Sequence, residues 1–370
     1  MTAEGVLDGD VVRVGGDARQ RFHDARGYGY PLSGNEIALA PVEAAHLLYT
    51  ENLTGVHDGD ETLDFRGFLT REPGADFGAR FLVYADLRSR GLYLSPATEP
   101  WLDVDAFGPL SDSTDFAVYP RGKGPGDGVL EYAVRVIGER TDVPARTLEP
   151  GVIAIVDEES ELTYFEIDAP TIEGESVRVT DPSLGIADAA SIEATLLDDR
   201  IVVWDPPTAL YERPFYGQPL EGRTYDGDRP TIQCSLVEGA YLATHGIVDL
   251  DPAAVRSRGL AVEGDRFDRR YRVYEALRER GVVPKTGYKF GADFRTYAAV
   301  DGVDDLGHSE LLIRALSADH VFEPRDLSLD VRLAHGVRKT MVVALADGAP
   351  RHPDDPEEGI SWRSIRRLTP

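Results

Sequence analysis

The sequence predicts an α+β fold made by tandem duplication, each repeat a small N-terminal α/β domain followed by a C-terminal α/β domain with a mixed sheet. Three observations lead there. Gly29-Tyr30-Pro31-Leu32-Ser33-Gly34 returns as Gly217-Gln218-Pro219-Leu220-Glu221-Gly222. Segments on both sides of this echo match in the same order, which marks a duplicated unit rather than a chance hexapeptide. The 370 residues also suit two to three domains at about 150 residues each.

The matching elements can be taken in chain order. Leu7-Asp8-Gly9-Asp10-Val11-Val12 and Leu197-Asp198-Asp199-Arg200-Ile201-Val202 each read as a short strand beside an acidic turn. Val42 to Tyr49 and Val237 to Thr244 have helical periodicity. Phe81 to Gly91 parallels Tyr271 to Gly281, two longer helices whose final glycine sits where a helix C-cap is expected. Asp115-Phe116-Ala117-Val118-Tyr119 parallels Asp293-Phe294-Arg295-Thr296-Tyr297, and both read as strands. The boundaries follow: residues 1–75 and 76–172 form the two domains of the first copy, 173–189 a connector, and 190–262 and 263–370 the domains of the second.

Composition narrows the class. Hydrophobic residues make up 42% and charged residues 28%, which excludes collagen-like and wholly disordered chains. No apolar run approaches the ~20 residues a membrane helix needs. The start carries Glu4, Asp8 and Asp10 rather than a basic segment and an apolar stretch, so a cytoplasmic protein without membrane contact is expected. Cys234 is the single cysteine, which rules out an intrachain disulfide and a cysteine-rich zinc site. The net charge is −26, and the only lysines are Lys123, Lys285, Lys289 and Lys339. An acidic surface poor in flexible lysines stays hydrated in molar salt, so a salt-adapted protein of haloarchaeal type is expected. That charge opposes nucleic-acid binding in dilute buffer, but at molar salt phosphate attraction is weak in any case and local arginines must serve.

The copies diverge where polar chemistry can sit. The second reads Gly307-His308-Ser309-Glu310, where the first has Gly128-Val129-Leu130-Glu131. The second then has Leu327 to Lys339, read as a helix with the apolar stripe Val331, Ala334 and Val337, and with Arg332 and Lys339 on one face. The apolar strand Met341 to Ala346 follows, and the first copy's Arg146 to Asp168 is too short for such a helix. Each residue has an ordinary explanation. Tyr297 suits packing, His308 a surface position, and Lys339 opposition to a helix dipole. Their joint presence in one copy points to a site. The common enzyme motifs are absent: Gly122-Lys123-Gly124-Pro125-Gly126 lacks the ending of a phosphate loop, and no Gly-x-Ser-x-Gly, His-Glu-x-x-His or dinucleotide fingerprint occurs.

Val282 to Tyr297, Gly307 to Glu310 and Val331 to Lys339 together resemble the catalytic domain of the archaeal tRNA-intron (splicing) endonuclease family. The duplicated layout is similar to the family's fused type, in which one nuclease-like half is catalytic and the other structural. The resemblance implies a triad of Tyr297 as base, His308 as acid and Lys339 as electrostatic stabiliser. It implies cleavage of precursor tRNA at both bulges of a bulge-helix-bulge, without metal or cofactor, leaving 2′,3′-cyclic phosphate and 5′-hydroxyl ends. One active half per chain then requires a homodimer. A bulged base held between two cations is also implied, with Arg332 at one position and Arg363 or Arg366 at the other. Asp157 to Glu161 stands where the family docks an acidic loop on the other protomer, though the same residues suit a solvated hairpin. Two other readings stay open at this level: a noncatalytic RNA-binding scaffold, and a metal-dependent nuclease using Asp293, Glu310 and Lys339.

Overall fold

A computed structural model describes residues 3–71, 74, 76–102, 107, 110–186, 191–220, 230–300, 302–303, 306–346 and 359–370. The first repeat opens with β1 (Ala3–Asp8), β2 (Val11–Val14), β3 (Tyr30–Pro31), β4 (Ile37–Leu39), β5 (Leu53–Asp58) and β6 (Glu61–Leu63), in the sheet order β3-β4-β2-β1-β5-β6. Helices α1 (Pro41–Tyr49) and α2 (Phe65–Arg71) belong to the same domain, and proline occupies the first turn of α1, where its missing N–H costs nothing. Helix α3 (Phe77–Ser89) follows, then β7 (Leu94–Pro96), β8 (Phe116–Val118), β9 (Tyr132–Gly138), β10 (Val143–Pro144), β11 (Gly151–Val156) and β12 (Leu162–Asp168).

The second repeat runs through β13 (Ala194–Leu196), β14 (Arg200–Trp204), α4 (Thr208–Glu212), β15 (Gln218–Pro219), β16 (Thr231–Ser235), α5 (Leu236–Thr244) and α6 (Pro252–Glu263). Its second domain holds α7 (Arg266–Glu279), β17 (Val283–Thr286), β18 (Phe294–Tyr297), β19 (Leu311–Leu316), β20 (Val321–Phe322), α8 (Pro324–Gly336), β21 (Thr340–Ala346) and β22 (Ile360–Leu368). The glycines expected to end the two long helices do so: Gly91 and Gly281 have φ of 81° and 71°, a left-handed turn that only glycine adopts freely.

The echoed Gly-x-Pro-Leu turn has a physical cause. Gly29 N–H donates to Glu43 Oε1 at 2.7 Å and Ala40 N–H to Glu43 Oε2 at 2.9 Å, so a buried glutamate at the start of α1 ties the turn to the helix. Gly217, Ser235 and Glu238 repeat the arrangement at the start of α5. A Cβ on Gly29 would meet the Ala38 carbonyl oxygen at 2.4 Å. In each copy one arginine then fastens the turn to the long helix. Arg88 lies 3.8 Å from the Tyr28 ring and donates to Tyr84 Oη; Arg278 lies 4.0 Å from the Tyr216 ring and donates to Tyr274 Oη.

The mixed sheets of the two second domains are one sheet of ten strands, ordered β17-β18-β19-β21-β22-β12-β11-β9-β8-β7. The five-strand halves have the same internal order and join through antiparallel β12 and β22, with Ile167 opposite Ile365 and Phe165 opposite Arg367. Joining removes two exposed edges, each of which would present unpaired backbone groups to solvent or to other chains. The hydrophobic cluster under α8 accordingly draws on both copies: Ile153, Ile155 and Phe165 pack with Val331, Val343 and Ile365. A second bond between the copies is the two-stranded ladder of β10 and β20.

The connector packs on the second repeat: Gly174 N–H donates to Arg280 O, Glu175 N–H to Ala298 O and Ser176 N–H to Gly281 O, and Val179 is buried. Its last residues, 187–189, lie outside the described residues, as do Glu221 and Gly222 of the second turn. Arg332 and Lys339 do not share a helical face. Helix α8 ends at Gly336, Arg338 takes a left-handed φ of 56°, and Lys339 lies on the entry to β21. Among the described residues no helix is long and apolar enough to cross a membrane.

Candidate active site

Three neighbouring strands bring the expected triad to one end of the sheet. Strand β18 runs antiparallel to β19, with Arg295 opposite Leu312, and β19 runs parallel to β21, with Leu311 opposite Thr340. The ladder extends one step further: Glu310 N–H donates to Thr296 O at 3.2 Å, and Thr340 N–H donates to Glu310 O at 3.0 Å. Tyr297 closes β18, His308 leads into β19 and Lys339 leads into β21, so residues far apart in sequence meet at a common edge.

Their environments differ. Tyr297 is buried, with the Phe215 ring 6.4 Å away and the Arg295 guanidinium carbon 5.6 Å from its own ring centre. His308 is exposed in an irregular run before β19. Lys339 is half-buried; its ammonium donates to the backbone carbonyl and hydroxyl of Ser309 and lies 5.9 Å from the Phe290 ring. Desolvation, with the nearby positive charge of Arg295, holds the Lys339 ammonium below the ordinary lysine pKa. The Ser309 bonds fix the ammonium beside His308 in the chain, a restraint visible only in the folded structure.

Asp293 is structural. Its Oδ1 pairs with Arg266 at 2.6 Å and Arg270 at 3.2 Å, and its Oδ2 accepts from Ala315 N–H at 2.9 Å. A buried carboxylate already neutralised by two arginines and tied to a backbone N–H is poorly placed to bind a cation as well, which disfavours the Asp293, Glu310 and Lys339 metal set. Among the described residues no three His, Cys, Asp or Glu side chains gather as metal ligands. The first repeat lacks the site physically. Tyr119 is fully buried with Leu102 and Ala117, Val129 is exposed at the place of His308, and the chain between β10 and β11 makes only the short turn Ala145–Thr147 where the second repeat has α8.

The candidate base clamp lies beside α8. A cavity of about 430 Å³ between α8, β12 and β22 is lined by Arg325, Arg332, His335 and Arg367; an adjoining one of about 560 Å³ is lined by His335, Arg338, Lys339, Arg366 and Arg367. Arg332 is exposed at the first of these. Arg363 donates to Leu148 O at 2.7 Å and Trp362 O at 2.8 Å, and Arg366 pairs with Glu166 at 3.1 Å and Asp168 at 2.9 Å. Sequence reasoning missed Arg367. Strand alternation from buried Ile365 puts Arg367 on the face toward α8, but that needs the strand register first. The Asp157 to Glu161 segment is the tight turn between β11 and β12: Asp157 Oδ1 accepts from Glu159 and Glu161 N–H at 3.0 and 2.8 Å, and Glu158 pairs with Arg140.

Comparison with known proteins follows the same division of the chain. Residues 267–350 match the family model described as tRNA intron endonuclease, catalytic C-terminal domain, and residues 3–69 and 192–256 match the model described as tRNA intron endonuclease, N-terminal domain. A relative from Halobacterium salinarum, called tRNA-splicing endonuclease, is 54% identical over 99% of this chain and all of its own length. One of the same name from Haloarcula marismortui is 52% identical over 98% of this chain and 99% of its own. Another, from Methanococcoides burtonii, is 33% identical over 97% of each.

Proposed function

The chain belongs to the tRNA intron endonuclease family, and from that premise we propose that it cuts precursor tRNA at both bulges of a bulge-helix-bulge, releasing the intron, with Tyr297, His308 and Lys339 as its catalytic triad. The observation that carries the reading is the convergence of those three residues at the ends of β18, β19 and β21, in the one repeat that has α8.

The chemistry is an intramolecular transesterification. The ribose 2′-oxygen attacks phosphorus as the P–O5′ bond breaks, which yields a 2′,3′-cyclic phosphate and a 5′-hydroxyl. Tyr297 takes the 2′-hydroxyl proton, His308 gives a proton to the departing 5′-oxygen, and Lys339 balances the charge that builds on the non-bridging oxygens. Histidine titrates near ~6.5 and suits the acid role at neutral pH. To take a proton the tyrosine must act as phenolate, a form that a neighbouring cation favours, and the Arg295 guanidinium carbon lies 5.6 Å from the Tyr297 ring centre. The bulged base is held between Arg332 and a β22 arginine, by stacking of a planar guanidinium that survives high salt better than a point-charge pair.

With one triad per chain, two cleavages call for two chains, and the Asp157 to Glu161 turn is the surface offered to the partner. The test is incubation of the purified chain, in molar KCl with EDTA, with end-labelled bulge-helix-bulge precursor tRNA. Cyclic-phosphate ends at both bulges are expected. Cleavage only after a divalent ion is added would favour the metal nuclease, and binding without cleavage under either condition would favour the scaffold.

A further inference from the structure

We propose that Arg295 is a second phosphate-binding residue of the site, its guanidinium contacting a non-bridging oxygen of the scissile phosphate alongside Lys339. The inference rests on the triad reading above and adds to it a residue that the triad does not contain.

Three independent observations converge on Arg295. The first is position. It lies two residues before Tyr297 on β18, with its guanidinium carbon 5.6 Å from the Tyr297 ring centre, and after desolvation its positive charge is the second cause that lowers the Lys339 pKa. The second is its lack of a counter-charge. Several arginines of the second repeat are held by carboxylates, Arg266 and Arg270 by Asp293 and Arg314 by Asp330 among them. Arg295 makes no ion pair among the described residues, and its Nε is buried with no hydrogen-bond partner there. Lys339 beside it donates to Ser309 rather than to a carboxylate. Two half-buried cations with no anion between them among the described residues are costly to hold together unless an anion joins them when the site is filled.

The third observation is the internal control supplied by duplication. Strand β8 is the first-repeat counterpart of β18: Ala117 pairs with Ser95 there, as Arg295 pairs with Lys285 here. The first repeat keeps the aspartate and tyrosine at either end of the strand, as Asp115 and Tyr119, but has alanine at the place of Arg295. The arginine is therefore absent from the copy that also lacks the histidine and the lysine. If Arg295 served only to pack β18, the first repeat would have no reason to lose it together with the other two.

The first repeat also shows that the fold accepts alanine at this place, so Arg295→Ala is a fair test, with Arg295→Lys beside it to keep a charge. Single-turnover cleavage would be measured in molar KCl with saturating precursor tRNA, with unmodified RNA and with RNA carrying sulfur at one non-bridging oxygen of a scissile phosphate. Arg295→Ala is expected to slow cleavage about 100-fold while RNA affinity changes less than about threefold, and Arg295→Lys to recover part of the rate. The sulfur substitution should slow the unmodified chain and lose most of that effect in Arg295→Ala, a readout that packing alone would not move. Cleavage by Arg295→Ala within threefold of the unmodified chain, or an unchanged sulfur effect, would overturn the proposal. Activity of the unmodified chain together with loss in Lys339→Ala keeps the triad reading standing in that event; an unmodified chain that does not cleave sinks both.

Discussion

Lys285 Nζ lies 2.7 Å from Glu238 Oε1 in the interior of the second repeat, whereas the first repeat has Ser95 at the strand position of that lysine and its equivalent glutamate, Glu43, is held by Gly29, Ala40 and Trp101 N–H groups. Both glutamates are buried and both tie a glycine turn to a helix. Burial pushes the Glu238 carboxyl up, but Lys285, Arg278 and the Ser235 N–H together outweigh it and the net shift is downward; Glu43 has backbone and Trp101 N–H donors, and burial leaves its carboxyl raised. Glu238→Gln is expected to cost about 3–5 kcal/mol, because it leaves Lys285 buried without its anion. The added change Lys285→Met should return much of that loss. The two sites should also respond oppositely to pH. The Glu238 contribution is full above its unfolded pKa and is lost as pH falls through the lower folded value; that of Glu43 is full below its unfolded pKa and is lost as pH rises through the higher folded one. Denaturant unfolding of Glu238→Gln and Glu43→Gln across pH 4 to 8 measures both.

Lys339→Ala should abolish cleavage at both bulges with the fold and any dimer intact, since among the described residues the side chain bonds only to Ser309 and packs near Phe290. Losing a cation from beside a developing phosphorane is expected to cost at least about 10²-fold in rate. Sedimentation checks assembly and product mapping checks cleavage. A chain that falls apart into monomers would contradict a purely catalytic role.

His308 is exposed, so His308→Ala should fold normally and lose about 10²- to 10⁴-fold in single-turnover rate. An RNA with sulfur in place of the bridging 5′-oxygen should recover most of that loss, because a thiolate leaves without needing a proton. Loss that the sulfur substrate does not repair would remove His308 from the acid role.

Arg332→Ala and Arg367→Ala should each weaken binding of the bulged RNA by about 10-fold, in keeping with ~1–3 kcal/mol for a stacked base, with little change in the rate of bound substrate. Arg366→Ala, whose guanidinium is held by Glu166 and Asp168, should change affinity by less than about threefold. Equilibrium titration of a labelled bulge in molar KCl separates these; an Arg366→Ala defect as large as that of Arg332→Ala would return Arg366 to the clamp.

Duplication, the helix-ending glycines and the absence of a counterpart to His308 and α8 from the first copy were all legible in the sequence, because each depends on local pattern. The turn echo Gly29 and Gly217 could be read before its cause, a buried glutamate bonding across to the turn, was visible. Other features depend on which groups pack together. Lys339 looked helical because apolar spacing continues through Val337, yet a left-handed Arg338 ends the helix and turns the lysine onto Ser309. The residues 173–189 read as a connector because they are polar and proline-containing; that Gly174, Glu175 and Ser176 bond to backbone at the ends of α7 and β18 is a tertiary fact. Asp293 looked like a candidate ligand until Arg266 and Arg270 were found on it.

The sequence by itself determined that two copies of one unit exist and that only the second retains histidine, lysine and an arginine-bearing helix, since composition, periodicity and internal comparison need no coordinates. Only the tertiary structure decided that β12 and β22 join the copies into one ten-stranded sheet and that Tyr297, His308 and Lys339 arrive at its same end. Strand pairing is a long-range choice: which edges meet depends on burying apolar faces and satisfying backbone groups over the whole chain, and no local run of residues carries that information.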